Sequence, residues 1–434
     1  MDLDPKARAR PWPTDLESSW ERHVLPSGLT VVLETVPTVS SLAIGLWVRT
    51  GTRDEADPVA GIAHFVEHLV FKGTERRDTY EIARALESVG GELDAFTGRE
   101  ATCFYARVLS EHLPLAVDVL ADLTCHPLLT AEEVDKEKKV IVDEIRSFED
   151  NPEDVVHESF SGQLWQGHPL GRPILGTESS IQALTPEVIR EWFRAHYTAP
   201  NMVVAVAGAL DPDELLALVD RHVVAPGGPP PRRVDLLPEP PRGLRPAIKD
   251  LSQEHVVLGQ RTVSYRDPDR FAVNLLSTLL GGGMSSRLFQ AIREREGLSY
   301  SVYSFTDLHR DAGVFGSALG CSPGETQRAL DVLVGEYRGL LAEGLRPGEL
   351  DSAREQLKGG LLLGLESMSN RMSQLARAEM AYGRRVPVEE LLGAIEAVHE
   401  PDVLRMAAGL LDPERTLVAA LGPCRDLAWN GRQP

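Results

Sequence analysis

At 434 residues, 42% hydrophobic and 25% charged, the chain has the composition of a folded globular protein and the length of two to three ordinary domains. Its 45 Lys and Arg stand against 65 Asp and Glu, a formal charge of -20 that repels nucleic acid and anionic membrane, so neither is expected as a partner. No run approaches the roughly 18 apolar residues of a membrane span, and the start MDLDPKARARPWPTDLESSW lacks the apolar stretch of a secretory leader, which together predict a cytoplasmic protein. Cys103, Cys125, Cys321 and Cys424 are far apart with no CxxC spacing, and read as structural thiols of a reducing compartment.

In chain order, Leu29 to Leu33 and Ser41 to Val48 alternate or run apolar like strands. Gly61 to Phe71, GIAHFVEHLVF, has helical character, with Gly73 as its stop. Gly90 to Ala106, GGELDAFTGREATCFYA, reads as strand, turn and strand. Leu115 to Leu129 and Thr130 to Glu149 read as helix, turn, helix, the second opened by Thr130 and Glu133 as a capping box. Met202 to Ala207 is a short buried-strand run. Val224 to Arg245, VAPGGPPPRRVDLLPEPPRGLR, is too rich in proline for helix or central strand and predicts an extended linker. The expected units are therefore 1–223, the linker 224–245, and 246–434.

The second half echoes the first. LAVDVLADLTCHPLL followed by TAEEVDKEKKVIVDEI returns as RALDVLVGEYRGLLAEGL followed by RPGELDSAREQLKGGLLLGL, with Pro347 early in the second helix as a start signal. HFVEHLVFKG likewise lies on Ala272 to Gly281, AVNLLSTLLG, with terminal glycines in register. The halves read as diverged copies of one α+β unit. In that register His64, Glu67 and His68 face Ala272, Leu275 and Leu276, and Glu144 faces Gly360, so the ionisable set exists in the first copy only.

Residues four apart share a helical face, so His64 and His68 can present ring nitrogens to one ion with Glu67 beside them. Zinc accepts imidazole and carboxylate, and a catalytic zinc keeps three protein ligands and an open position for water. The reading as a core helix with two hydrogen-bonded histidines competes on these five residues alone. A third ligand has to come from another element, and the helix from Thr130 to Glu149 carries Glu137, Ile141 and Glu144 at i, i+4 and i+7. Those acids could equally belong to a solvated charged face.

HFVEH has the H-x-x-E-H order of the inverzincins. Together with a glutamate inside VIVDEI, it resembles the M16 peptidase family, which includes the mitochondrial processing peptidase and insulin-degrading enzyme. HPLGRPILG, YTAPNMVVAVAG and GGGMSSRLFQAIREREGLSYSVYS extend the resemblance over nearly the whole chain. The resemblance implies that His64, His68 and Glu144 bind one Zn2+ per chain, that Glu67 is the general base, and that Glu137 supports the site. It also implies that the edge strand around Asp94, Ala95 and Phe96 pairs with the substrate main chain. The family usually has Asn at position 94, and an ionised Asp cannot donate a hydrogen bond; a structural turn residue is the competing reading of Asp94. Arg293 and Tyr300 match a family pair that holds substrate and stabilises the tetrahedral intermediate from the opposite wall.

The expectation is thus an α+β protein of two homologous domains, each an antiparallel sheet layered with helices, forming half of a clam-like chamber of the M16B type. Its function would be a zinc-dependent endopeptidase acting on unfolded peptides as a homodimer. A non-cleaving peptide-binding or assembly protein of the same fold is the main alternative, and a zinc hydrolase of small amides a further one.

Overall fold

Among the residues that the computed structural model describes, 18–228 and 238–429, eleven strands form two sheets. The first contains β1 (Ser19–Val24), β2 (Thr30–Thr35), β3 (Ser41–Val48), β4 (Glu92–Thr97), β5 (Thr102–Leu109) and β6 (Met202–Gly208), in the order β1-β2-β6-β3-β5-β4. The second contains β7 (Gly243–Ile248), β8 (Glu254–Thr262), β9 (Ser299–Leu308), β10 (Gly313–Cys321) and β11 (Leu417–Gly422), in the order β7-β11-β8-β10-β9. Strand for strand, β7, β11, β8, β10 and β9 repeat β2, β6, β3, β5 and β4, and β1 is an addition to the first sheet. Each sheet is mixed rather than wholly antiparallel, because β2 runs parallel to β6 and β7 parallel to β11.

Central strands such as β6, MVVAVAG, are buried along their whole length, which requires cover on both faces. On one face of the first sheet Leu33, Leu42, Ile44, Leu46, Val204 and Val206 meet the helices Ile62–Val70 and Leu113–Cys125. On the other face Val32, Ala43, Trp47, Val203 and Ala205 meet the helix Met368–Tyr382, which comes from the second half of the chain. The second sheet repeats the device in reverse. Its outer residues Val257, Ala419 and Leu421 pack on Val156, Phe160 and Leu164 of the helix Pro152–Leu164 from the first half.

This exchange of helices was not visible in the halves read separately, and it joins them. Each fully buried Leu, Val or Phe in these layers contributes about 1.5–3 kcal/mol. Polar contacts fix the crossing. Glu379 accepts from Arg22 at 2.8 Å and from Arg49 at 3.3 Å, Arg371 donates to Glu34 at 2.7 Å, and the Trp47 indole meets Met372 Sδ at 3.3 Å.

Four local expectations are refined. Thr130 caps the helix Ala131–Glu149 by accepting from Glu133 N at 3.3 Å, but the Glu133 carboxylate goes to Lys136, so only one arm of the capping box is made. The echo helix begins at Glu349 with Gly348 as its cap, so Pro347 lies just outside it. The last residues of the expected linker, Gly243 to Arg245, belong to β7. Asp94 lies inside β4, so the turn reading fails; the turn is at 98–101, where Gly98 N donates to Ala101 O at 2.8 Å. The segment read for a leader, up to residue 17, and the middle of the linker, 229–237, lie outside the described residues. The four cysteines are free, and no helix among the described residues is long and apolar enough to cross a membrane.

Candidate metal centre

The motif helix, Ile62–Val70, is short and largely buried, with Ile62, Phe65, Val66 and Leu69 in the core. Helical periodicity then directs His64, Glu67 and His68 to the opposite side, toward the distal helix Ala131–Glu149. The motif helix starts at Gly61, whose φ of +91° is left-handed; a Cβ there would lie 2.7 Å from Leu175 O. Beyond its C-terminal end, Arg76 and Arg77 pair with Asp118 and Asp122, and Thr74 Oγ1 donates to Asp122 at 2.8 Å.

His64 is 7% exposed, and its ring centroid lies 4.5 Å from that of His68. His68 Nδ1 is hydrogen-bonded to Glu137 Oε1 at 2.7 Å, which makes Nδ1 the protonated nitrogen and leaves the Nε2 lone pair free. That Nε2 lies 3.6 Å from Glu144 Oε2, and His64 Nε2 lies 3.8 Å from Glu144 Oε1. One ligand atom from each of His64, His68 and Glu144 falls within 4.8 Å of the others. These separations are too long for hydrogen bonds. They are close to the roughly 3.3 Å between ligands of an ion held tetrahedrally at about 2.0–2.1 Å. Glu144 is partly exposed, so the cluster opens to solvent on one side. The donor set, two imidazoles and a carboxylate with one open side, fits a catalytic zinc.

The electrostatics agree with that chemistry. Burial pushes the His64 imidazole down to about 4, and the neighbouring His68 pushes the same way, so its ring is neutral as a metal ligand must be. Burial acts on His68 in the same direction, but the hydrogen bond and charge of Glu137 outweigh it and raise the imidazole. Glu137, 2% exposed, would be raised by burial, yet its bonds to His68 and to Lys72 Nζ at 3.0 Å hold it below the usual carboxylate range.

Glu67 is 9% exposed, and burial raises its carboxyl against the opposing bond from Thr97 Oγ1 and the charge of His68. Thr97 ends β4, which has a neighbour on one side only, so its other edge is unpaired within the sheet. On β4, Leu93 and Ala95 pack toward the core of the first sheet. Phe96 meets Trp47 edge-on at 5.4 Å, and Asp94 Oδ2 accepts from Tyr105 OH at 3.1 Å, so both belong to the hairpin's other face. The second oxygen of Asp94 takes the Ala95 N–H at 2.8 Å.

Arg293 and Tyr300 come together in the second half. The guanidinium sits 4.4 Å from the Tyr300 ring centroid and 4.8 Å from that of Phe289, and donates to Tyr300 O at 3.0 Å. Arg293 lies on a π-helical stretch, Phe289–Arg295, and Tyr300 is exposed. The hydrogen bonds, ion pairs and ring contacts of this pair do not reach the residues of the first-half cluster.

Reading the sequence alone missed Thr97, Lys72 and Glu55. Thr97 shares a strand face with Ala95, and the alternation of β4 could have indicated it. Lys72 follows His68 by one helical turn. Glu55 gave no signal, because its partners are backbone N–H groups.

Comparison with known proteins agrees with this assembly. Residues 30–178 match the profile of Insulinase (Peptidase family M16), and residues 183–357 that of the Peptidase M16 inactive domain. An uncharacterized zinc protease of Mycobacterium tuberculosis is 42% identical over 408 residues, covering 93% of this chain and 93% of that one. One from Bacillus subtilis is 35% identical over 397 residues, covering 92% and 96%. Among solved structures, a protease from Helicobacter pylori shares the fold with a TM-score of 0.87 at 22% identity, covering 93% of this chain and 99% of that one. An M16 inactive-domain protein from Pseudomonas fluorescens does so with a TM-score of 0.86 at 22% identity, covering 93% and 98%. The chain belongs to the M16 family of zinc peptidases.

Proposed function

We propose that the chain is a zinc-dependent endopeptidase that cuts extended peptides lying along β4. The observation that carries this reading is the convergence of His64 Nε2, His68 Nε2 and the Glu144 carboxylate, with Glu67 on the same helical face and tied to the edge strand through Thr97. His64, His68 and Glu144 would hold one zinc ion, which when bound supplies an acidified water and polarises a carbonyl. Glu67 takes the proton of the attacking water and returns it to the leaving amine; its raised carboxyl suits both roles. Glu137 fixes the tautomer and orientation of His68.

The unpaired edge of β4 offers N–H and C=O groups to an extended main chain, which favours peptides over small amides. Asp94, Ala95 and Phe96 would contribute through their backbone, since both Asp94 side-chain oxygens are occupied within the hairpin. Within one chain the hydrogen bonds, ion pairs and ring contacts of Arg293 and Tyr300 stay within the second half. In this reading the two residues serve as the facing wall of a chamber closed by a second copy, a cytoplasmic homodimer acting on unfolded peptides, with the first and second halves divided at the proline-rich linker that precedes β7.

Glu67→Gln keeps the ligands and removes the base. It should retain zinc, measured by elemental analysis, and lose about 10²–10⁴-fold in turnover of a quenched fluorescent peptide. Unchanged turnover would sink the mechanism. Wild-type protein that binds peptide without chelator-sensitive cleavage would leave the non-cleaving binding protein instead.

A further inference from the structure

His68 is held by a side chain, and His64 is not. The Glu137 carboxylate anchors His68 Nδ1, whereas His64 Nδ1 is buried without a hydrogen-bond partner. The ring of His64 is therefore placed by its backbone, which lies in the first turn of the motif helix. That turn has no capping side chain of its own, since its N-cap is Gly61. Its N–H groups are instead taken by a carboxyl group from outside the helix. Glu55 Oε2 accepts from Gly61 N at 2.8 Å, and Oε1 accepts from Ala63 N at 2.9 Å.

Glu55 is 4% exposed at the start of the helix, and burial pushes its carboxyl up to about 8 against the two backbone bonds. The segment that carries it is fastened on two sides. Thr52 N and Arg53 N donate to Gly98 O and Arg99 O in the β4–β5 turn. The buried Arg53 guanidinium donates to Glu100 at 2.7 Å and to Asp311 Oδ1 at 2.6 Å, and Asp311 lies in the β9–β10 turn of the second half.

We propose that Glu55 is a positioning residue that sets the start of the motif helix and with it the ring of His64, and that the second half supports it through Asp311 and Arg53. This rests on the reading of His64 as a zinc ligand. It gives the second half a part in the metal centre of its own chain, separate from any facing wall.

The test uses the full-length protein and measures zinc affinity by competition with a chromophoric chelator, alongside kcat and KM on a quenched peptide. Glu55→Gln keeps the shape but turns one of the two accepting oxygens into an NH2 donor, so that Gly61 N or Ala63 N is left without its acceptor. It should weaken zinc by about tenfold, the scale of residues that orient a ligand, and lower kcat similarly with KM within about twofold. A merely structural role would not produce coupling to one ligand. With His64→Ala, Glu55→Gln should therefore weaken zinc no further than His64→Ala alone.

Asp311→Asn, at a partly exposed site, reads the same linkage from the far end even if Glu55→Gln does not fold, and should weaken zinc by about threefold. Zinc affinity unchanged in Glu55→Gln and Asp311→Asn, or additive losses in the double variant, would overturn the proposal. Zinc binding needs no peptide, so the two readings fail separately. Glu55-dependent zinc affinity without peptide cleavage defeats only the endopeptidase reading, and normal cleavage and zinc binding in both variants defeats only this one.

Discussion

The motif helix packs on β4 and the distal helix packs on the motif helix, and in the second half Arg270–Gly281 packs on β9 with Glu349–Gly364 on it in the same relation. The two pairs differ in what they bury. Where the first has His64, Glu67, His68 and Lys72, the second has Ala272, Leu275, Leu276 and Leu280, all within its core. Glu137 corresponds to Ala353, and Glu144 to Gly360. The helix Arg270–Gly281 lies close on β9, since a Cβ on Gly281 would lie 2.2 Å from Ser304 N, whereas a Cβ on Gly360 would meet no atom within 4 Å. The same scaffold therefore holds together without any ionisable group at these positions. Keeping them in the first half costs desolvation, which only mutual pairing and an ion can offset.

If that contrast is right, moving one charge across should be severe. Leu275 is 0% exposed within the apolar core of the second half, where Leu276 stands in place of His68, so Leu275→Glu would bury a carboxyl without a charged partner on its own helix. Neutralising it by a shift of about 3 pKa units costs roughly 4 kcal/mol, read as a lowered urea midpoint. A change below about 1 kcal/mol would mean that the second site can be opened. Within the first half, Glu137→Gln should weaken zinc by about 10–100-fold, because His68 loses its charged partner. Chelator competition measures this, and an unchanged affinity would remove Glu137 from the site.

The smallest effect concerns the clamp beyond the motif helix. Burial would raise the Asp118 carboxyl, but Arg77 and Arg76 hold it below its ordinary value. A depressed folded pKa gives stability that is present above the unfolded carboxylate pKa and is lost as pH falls through the folded one. Asp118→Asn should cost about 1 kcal/mol at pH 6–7, after allowance for solvent screening, with the gap to wild type closing below about pH 4. Its echo Asp331 is exposed and pairs with Gln327 instead, so Asp331→Asn should change stability by less than about 0.5 kcal/mol. Equal effects of the two substitutions in thermal melts across pH would erase the distinction between the clamps.

Much of the fold was legible because its signals are local. The strands at 41–48 and 202–208, the hairpin at 92–109 and the helix pair at 113–149 follow from alternation, apolar runs and turn residues within a few positions. The parallel pairing of β2 with β6 was not legible, since an apolar run does not state the direction of its neighbour. Nor was the exchange of the helices Pro152–Leu164 and Met368–Tyr382. Each has an apolar face that would suit either sheet.

At the site, the sequence by itself determined that His64, Glu67 and His68 share one face of a short helix, because 3.6 residues per turn leave no other arrangement. The tertiary structure decided the rest. It placed Glu137 on His68 Nδ1, 69 positions away in sequence, and turned Glu144 toward both Nε2 atoms. It also brought Thr97 to Glu67, and Glu55 to the first turn of the motif helix. Two acids on one helical face are alike to periodicity. They become different only when packing sets which of them is buried against a ring and which stays open to water.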